Sequence, residues 1–319
     1  MDPITQGALG AACAQACLHK KDRDNAWIVG GLAGMAADLD IFINSPKNPL
    51  LFFIYHRHFT HSLLFIPLGA FLVTLVLLLF KRFRKTIKLT FLAAFIGYGT
   101  HGLLDACTSY GTLLYWPFSN TRISWDLIAI IDPFFTIPLI FGLIWTIVSD
   151  HRKGVVIGLT LAGLVLLFNT YQHHRAFLAV QSFAKQNHLR LEKLRVFPKM
   201  ASSINWRAVA RDNYRFVAFN VAVPLFRENN TSLIATYPMM QLAQLPQYVK
   251  KSPVLLDGVA IFNWFTDGYV ILVKSPPLTL ADGRFLMDDD PTISLWGLRF
   301  LDNPPRIIRI SYIKLENKK

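Results

Sequence analysis

The chain reads as a mainly α polytopic membrane domain of four to six helices followed by a small α+β soluble domain. Three observations predict this. The composition is 53% hydrophobic and only 17% charged over 319 residues, whereas soluble domains carry roughly a quarter charged residues. The apolar excess, with a mean hydropathy of +0.35, is concentrated in residues 1–172 as runs near the roughly 20 residues that cross a hydrocarbon core of about 30 Å. Beyond residue 175 the runs shorten and alternate, rich in β-branched and aromatic side chains. The expected domains are therefore residues 1–174 and 175–319.

In chain order, residues 4–18 form a short first helix rich in Ala and Gly. No basic segment precedes it, so it reads as a retained helix and not a cleaved leader. Residues 27–43 are again Gly/Ala-rich and end in Asp38 and Asp40. Small residues let helices approach closely inside a membrane, so both segments can pack within a bundle. Residues 62–80, 89–107, 127–148 and 154–171 are the clearest spans. A helix-like basic stretch follows at 175–194. Strand-like runs come next at 206–211, 215–223, 269–273, 295–300 and 306–315, with turn signals at Asp282-Gly283 and at Asp302-Asn303 before Pro304-Pro305. A small, mainly antiparallel domain is expected.

The net charge of +13 is dispersed, which argues against a nucleic-acid partner; membrane lipids are the expected neighbours. Lys20, Lys21 and Arg23, the five Lys/Arg of residues 81–88, and Arg152 with Lys153 all fall on one side of a six-segment arrangement. By the positive-inside rule that side is the cytoplasm. The opposite ends and the C-terminal domain then lie outside it, at the cell inner membrane. Cys13, Cys17 and Cys107 read as small buried apolar side chains, with no disulfide framework.

Under that arrangement the Asp and His residues of the apolar half gather at one end. Asp38 and Asp40 close one segment, and His56, His58 and His61 open the next. His101 and Asp105 close another, and Asp126 and Asp132 open the following one. A charged side chain deep in a bilayer costs about 2.5–3.5 kcal/mol even on the lenient scale, so such a convergence points to a ligand, and a metal ion is the natural one. His101 and Asp105, at i and i+4, share a helix face and can hold one ion from a single helix. The bland alternative is a hydrogen-bonded His–Asp pair. Asp38 and Asp40, at i and i+2, diverge on a helix, so one can ligate while the other orients a His, or the helix unwinds and both ligate. Asp132 is costly unless paired, with Arg57 or Arg122 as partners; an acid/base role and a structural ion pair are both open to it.

These residues carry a family resemblance. MDPITQGALG, GMAADLD, HRHFTHSL, HGLLDACTSYGT and RISWDLIAIIDPFF together resemble the YdjM family of inner-membrane proteins, for which metal-dependent hydrolysis is the expected activity. The resemblance covers roughly residues 1–150. The family is distantly similar to zinc-dependent phospholipase C and related helical nucleases, which cleave phosphoesters with zinc held by clustered His and Asp. The resemblance implies His56, His61, His101, Asp105, Asp38 and Asp40 as metal-site candidates. The chain departs from the family at Gln6, where a His is common; a neutral amide is a poor zinc ligand. His58 stands where Gly is common, and no role is carried onto it.

The expectation is a membrane-bound metal-dependent hydrolase acting on a phosphoester or lipid-like substrate at the outer interface. His56, His61, His101, Asp105 and Asp40 are the expected ligands for one or two ions of zinc or manganese. Asp38 or Asp126 serves as general base, and Arg57 and Asp132 as binding groups. The rival expectations are a structural metal, an ion or proton pathway, and a membrane-anchored binding protein that works through its C-terminal domain.

Overall fold

The computed structural model describes residues 1–212 and 214–315. They pack as two compact units. A helical unit comprises Met1–Phe42, Tyr55–His173 and Met200–Ser203; a sheet-rich unit comprises Ile43–Ile54, His174–Lys199 and Ile204–Lys319.

The helical unit begins with α1 (Pro3–Asp22). Asp2 caps it by accepting the Thr5 N–H at 3.0 Å, and Pro3 sits where a missing N–H costs nothing. The antiparallel α2 (Ala26–Ala36) and the later α6 (Ile87–Ala106) pack against it with backbones nearly touching. A Cβ on Gly97 would lie 2.1 Å from the Gly30 carbonyl oxygen, so only glycine allows this crossing. Around it Ala14, Val29, Ala33, Ala94 and Tyr98 form an alanine-rich core. After α2 the chain tightens into a 3-10 turn, Ala37–Phe42, which carries both aspartates. The helix α3 (Leu50–Tyr55) comes next in the chain, and 3-10 turns at Phe59–His61 and Leu63–Phe65 lead into α4 (Ile66–Leu77). The short basic α5 (Lys81–Arg84) precedes α6. A long non-helical strap, residues 107–132, then leads to α7 (Pro133–Ser149) and α8 (Lys153–Gln186).

Several expected boundaries move. Residues 62–80 were expected as one span, but Ser62 is extended at φ −76° and ψ 150°, and the helix starts only at Ile66. Residues 127–148 do not begin as helix either. Asp132 precedes Pro133, which disfavours α backbone there, and it is extended at φ −132° and ψ 100°. The expected span at 154–171 and the helix-like stretch that begins at 175 are one continuous helix, α8, which runs through His173 and His174. Among the described residues, α6 and α8 are long and apolar enough to cross a membrane, or three segments are if Leu50–His61 with Leu63–Leu77 counts as one bent span. On α7 and α8 Phe134, Phe141, Val148, Leu161, Leu164 and Leu167 are exposed, as suits helices whose outer faces meet lipid. Cys17, expected buried, is exposed, whereas Cys107 is buried; all three cysteines are free.

The sheet-rich unit holds two four-stranded antiparallel sheets. The first is β1 (Lys193–Pro198), β2 (Asn205–Arg211), β3 (Arg215–Ala222) and β4 (Asn230–Pro238), in that order. The second is β5 (Val270–Lys274), β6 (Leu278–Asp282), β7 (Ile293–Leu301) and β8 (Arg306–Lys314). One face of the first sheet, through Trp206, Ala208 and Phe219, buries Ala176 and Val180 of α8. Its other face, through Val209, Phe216 and Tyr237, meets Tyr269, Ile271 and Ala281 of the second. Between the sheets in sequence lie α9 (Gln247–Lys251) and α10 (Pro253–Phe265). Phe53 of α3 belongs to this unit and stacks edge-on against Phe262 and Phe265, at 5.5 and 4.8 Å.

Candidate metal centre

The free ends of α2 and α6 and the turn at residues 56–62 meet in one place. A Cβ on Gly102 would lie 2.2 Å from the His61 carbonyl oxygen, so this glycine lets the turn settle directly on α6. The strap after α6 ties the turn down: Leu113 N–H donates to Arg57 O at 3.1 Å, and Leu63 N–H to Leu114 O at 3.0 Å. The result is a cluster of Asp38, His61, His101 and Asp105, each offering a ligand atom, all within 4.8 Å of one another. His61, His101 and Asp105 are wholly buried, and Asp38 is the one member open to the outside, its side chain 26% exposed.

The two imidazoles are set in a specific way. His101 Nδ1 lies 2.6 Å from the Gly34 carbonyl, which can only accept, so Nδ1 carries the proton. His61 Nδ1 lies 3.3 Å from Asp40 Oδ2 and 2.9 Å from the Thr60 hydroxyl. A carboxylate there assigns the proton to Nδ1 again. Both rings turn Nε2 inward, and the two Nε2 atoms are 3.0 Å apart. Two facing lone pairs at hydrogen-bond distance repel each other unless a proton or a cation lies between them. Asp38 Oδ1 is 3.6 and 3.4 Å from these nitrogens, and Asp105 Oδ2 is 3.3 and 3.8 Å away. Two imidazoles and two carboxylates form a donor set that suits zinc or manganese.

Outer contacts fix the cluster. Asp40 does not join it. Its Oδ1 lies 3.0 Å from His56 Nδ1, and its Oδ2 accepts from Arg57 N–H at 2.8 Å and Thr60 Oγ1 at 3.0 Å. It therefore holds the turn and orients His61, as carboxylates behind metal-bound imidazoles do. The divergence of Asp38 and Asp40 places them against opposite nitrogens of His61. His56 lies outside the four-residue group and meets Asp40. Arg57, in left-handed backbone at φ 60°, brings Nε to 3.0 Å from Asp105 Oδ2, donates from Nη1 to Thr108 Oγ1 at 2.9 Å, and rests over the Tyr110 ring. The other oxygen of Asp105 receives the Met1 ammonium at 2.5 Å and Gln6 Nε2 at 2.9 Å. Gln6 thus serves as a donor to Asp105, a role an amide can fill.

The remaining predicted residues lie elsewhere. Asp126 is buried in the strap in left-handed backbone at φ 58°, outside the group of four. Asp132 caps α7, its Oδ1 accepting from Phe134 and Phe135 N–H at 3.0 and 3.4 Å; Oδ2 has no hydrogen-bond partner. His58 packs against Tyr55, Phe59 and Trp116. Sequence reasoning missed Gly34, whose contribution is a carbonyl, and Thr60, Thr108 and Tyr110, whose only signal was their position beside the His and Asp residues.

Spanning-length apolar helices around a buried Asp/His cluster define an integral membrane protein with a possible metal-binding site. A family model described as YdjM inner membrane protein matches residues 1–176. The chain belongs to this family. No curated protein and no solved structure matches it.

Proposed function

We propose that this protein is a multi-pass membrane hydrolase that uses a divalent cation, zinc or manganese, on a phosphoester or lipid-like substrate. The observation that carries the reading is the pair of inward Nε2 atoms 3.0 Å apart, with both Nδ1 atoms committed to acceptors and two carboxylates beside them. Asp38, His61, His101 and Asp105 would hold the ion. Such an ion supplies Lewis acidity and brings the pKa of bound water to about 7.

The chain's own groups prepare the site. Asp40 and the Gly34 carbonyl keep both imidazoles in the ligating tautomer. Asp38, at the open side, is where substrate reaches the cluster. Asp126 is the general-base candidate held in the strap, and Arg57 places positive charge beside Asp105 where phosphoester oxygens gain charge. Leu39, Ile41 and Phe42 are exposed next to Asp38, which supports an amphiphilic substrate. The distribution of basic residues orients this end outward, with the C-terminal unit outside the cytoplasm. Four to six crossings follow if the shorter helices also span.

The test is hydrolysis of a panel of phosphoester lipids by the full chain in detergent, after chelation and after adding back zinc or manganese. Activity lost on chelation, restored by metal and absent in Asp38→Asn supports the proposal. Activity indifferent to chelation, or absent from metal-loaded wild type across the panel, rules it out. A second reading, a metal-free charge network serving an ion pathway, draws on Arg57 and the Met1 ammonium, which already compensate Asp105. It requires that no metal co-purify.

A further inference from the structure

The first sheet packs along α8, and its contacts with that helix give it a direction. Phe183 of α8 meets Phe219 of β3 with ring centroids 5.9 Å apart. Arg175 of α8 donates from Nη1 to the Val223 carbonyl at 3.1 Å and from Nη2 to the Pro224 carbonyl at 2.9 Å. From Phe183 back to Arg175 a helix covers about 12 Å at 1.5 Å per residue. From Phe219 forward to Val223 an extended chain covers about 13 Å. The two lengths match, so β3 runs antiparallel to α8 and its end heads back toward the apolar stretch of the helix. The turn between β1 and β2 reaches the same level: Gln172 Nε2 donates to the Ser203 carbonyl at 3.3 Å, and Val223 N–H donates to the Ile204 carbonyl at 3.0 Å.

The turn between β3 and β4 carries its apolar residues at the tip. Phe226 is 96% exposed, more than any other large apolar side chain among the described residues, and Leu225 is exposed beside it. Met200 is exposed in the turn between β1 and β2. Along α8 the exposed side chains Leu161, Leu164 and Leu167 give way to an exposed Tyr171. Arg175 lies one turn beyond Tyr171, about 6 Å along the helix, and a headgroup layer is about 5–7 Å thick on each side of the hydrocarbon core. A tyrosine followed one turn later by an arginine is the chemistry of that layer. The carbonyls that Arg175 holds therefore stand at headgroup depth, and the two apolar residues follow directly after them.

We propose that the turn between β3 and β4 is a membrane-inserting finger, with Leu225 and Phe226 buried in the bilayer interface beside the exit of α8 and Met200 as a second, shallower contact. The occupant of this surface is lipid because the finger continues, along α8, a row of side chains that already face lipid. Arg227 and Glu228, both exposed after the tip, offset each other, so apolar burial drives the contact and no acidic lipid is required. The finger gives the first sheet an attachment to the bilayer besides α8. This inference rests on α8 crossing the membrane and not on the metal reading.

The test places a spin label at Leu225→Cys in the full chain, reconstituted in vesicles of phosphatidylcholine, with Cys13, Cys17 and Cys107 replaced by Ala. Collisions with oxygen, which partitions into lipid, are compared with collisions with a water-soluble nickel chelate. Leu164→Cys is the lipid-facing reference. Tyr214→Cys, equally exposed at the opposite end of β3, is the aqueous one. The label at 225 is expected to behave like that at 164, and Phe226→Ser should raise its nickel collisions by about tenfold, the partition expected from burying one phenylalanine. Hydroxyl-radical footprinting of the unsubstituted chain in the same vesicles provides a second measurement, in which Phe226 should be oxidised far less than Tyr214 after correction for intrinsic reactivity. Nickel collisions at 225 equal to those at 214, shielding of 225 from both reagents as in a protein contact, or oxidation of Phe226 matching that of Tyr214 would each overturn the proposal, and nickel access at 164 would overturn it at α8 itself. Metal content is read separately, so failure here is distinguishable from failure of the hydrolase reading.

Discussion

Asp105 and Arg207 are both buried charges, one in each unit, and the chain treats them differently. Asp105 is fully enclosed: one oxygen accepts from the Met1 ammonium and Gln6, and the other, without a hydrogen-bond partner of good geometry, lies 3.0–3.8 Å from the charged or imidazole nitrogens of Arg57, His61 and His101. Arg207 in β2 is 3% exposed. It donates only from Nη2, to a half-exposed Asp288 at 2.7 Å, while Nε and Nη1 have no partner. Burial pushes its pKa below the usual guanidinium range, with Asp288 acting against the shift. The first charge gathers groups from three segments of chain, the N-terminal segment, the turn at residues 56–62 and α6 itself; the second is an incompletely compensated charge near a sheet end. A buried ion is worth keeping when it gathers partners, and breaking such a set costs far more than removing a poorly paired ion.

This contrast can be broken in order of expected effect. Asp105→Ala leaves Arg57 and the Met1 ammonium buried without their carboxylate, and should lower stability by about 3–5 kcal/mol in denaturant unfolding. A loss under 1 kcal/mol would mean that the cluster is not mutually dependent. Gly102→Val drives a side chain into the His61 carbonyl. It should cost about 1–3 kcal/mol as overpacking, with metal binding lost alongside. Unchanged metal content in a destabilised variant would separate the loop's packing from the site. Asp40→Asn keeps the shape but weakens the hold on His61 Nδ1. It should reduce metal affinity by about 10–100-fold with a smaller effect on stability, read by competition with a chelator; an unchanged affinity would remove Asp40 from the site. Arg207→Met should be neutral within about 1 kcal/mol, or stabilising, since Asp288 retains water. A cost like that of Asp105→Ala would erase the comparison.

Much of the site was legible because helix periodicity converts spacing into geometry. His101 and Asp105, four apart on a regular helix, had to share a face, whereas the spacing of Asp38 and Asp40 left open whether they diverge or both ligate from an unwound segment; in the 3-10 turn that carries them they diverge. What spacing could not supply was the bend at residues 56–62. His61 turns in and His58 turns out of a bend in which Arg57 adopts left-handed backbone and donates its N–H to the Asp40 carboxylate. No local pattern encodes that. Spans were legible as hydropathy, but their ends were not: apolar character began before the helix at Pro133 and stopped before it in α8, since hydropathy reports burial in lipid and not hydrogen bonding. In the sheet-rich unit β2, β3, β5, β7 and β8 were visible as alternating runs. The strands β1, β4 and β6 were not. β1 is interrupted by Lys and Arg, β4 carries exposed Asn and Ser, and β6 is short and follows Pro276-Pro277.

The central claim is that Asp38, His61, His101 and Asp105 share a cation. Elemental analysis of the purified full chain and of His101→Ala, side by side, tests it most directly. One to two equivalents of zinc or manganese in the wild type, and loss of that metal in His101→Ala with the fold retained, is the predicted result. Absence of metal from both, even after incubation with zinc and manganese, would contradict it.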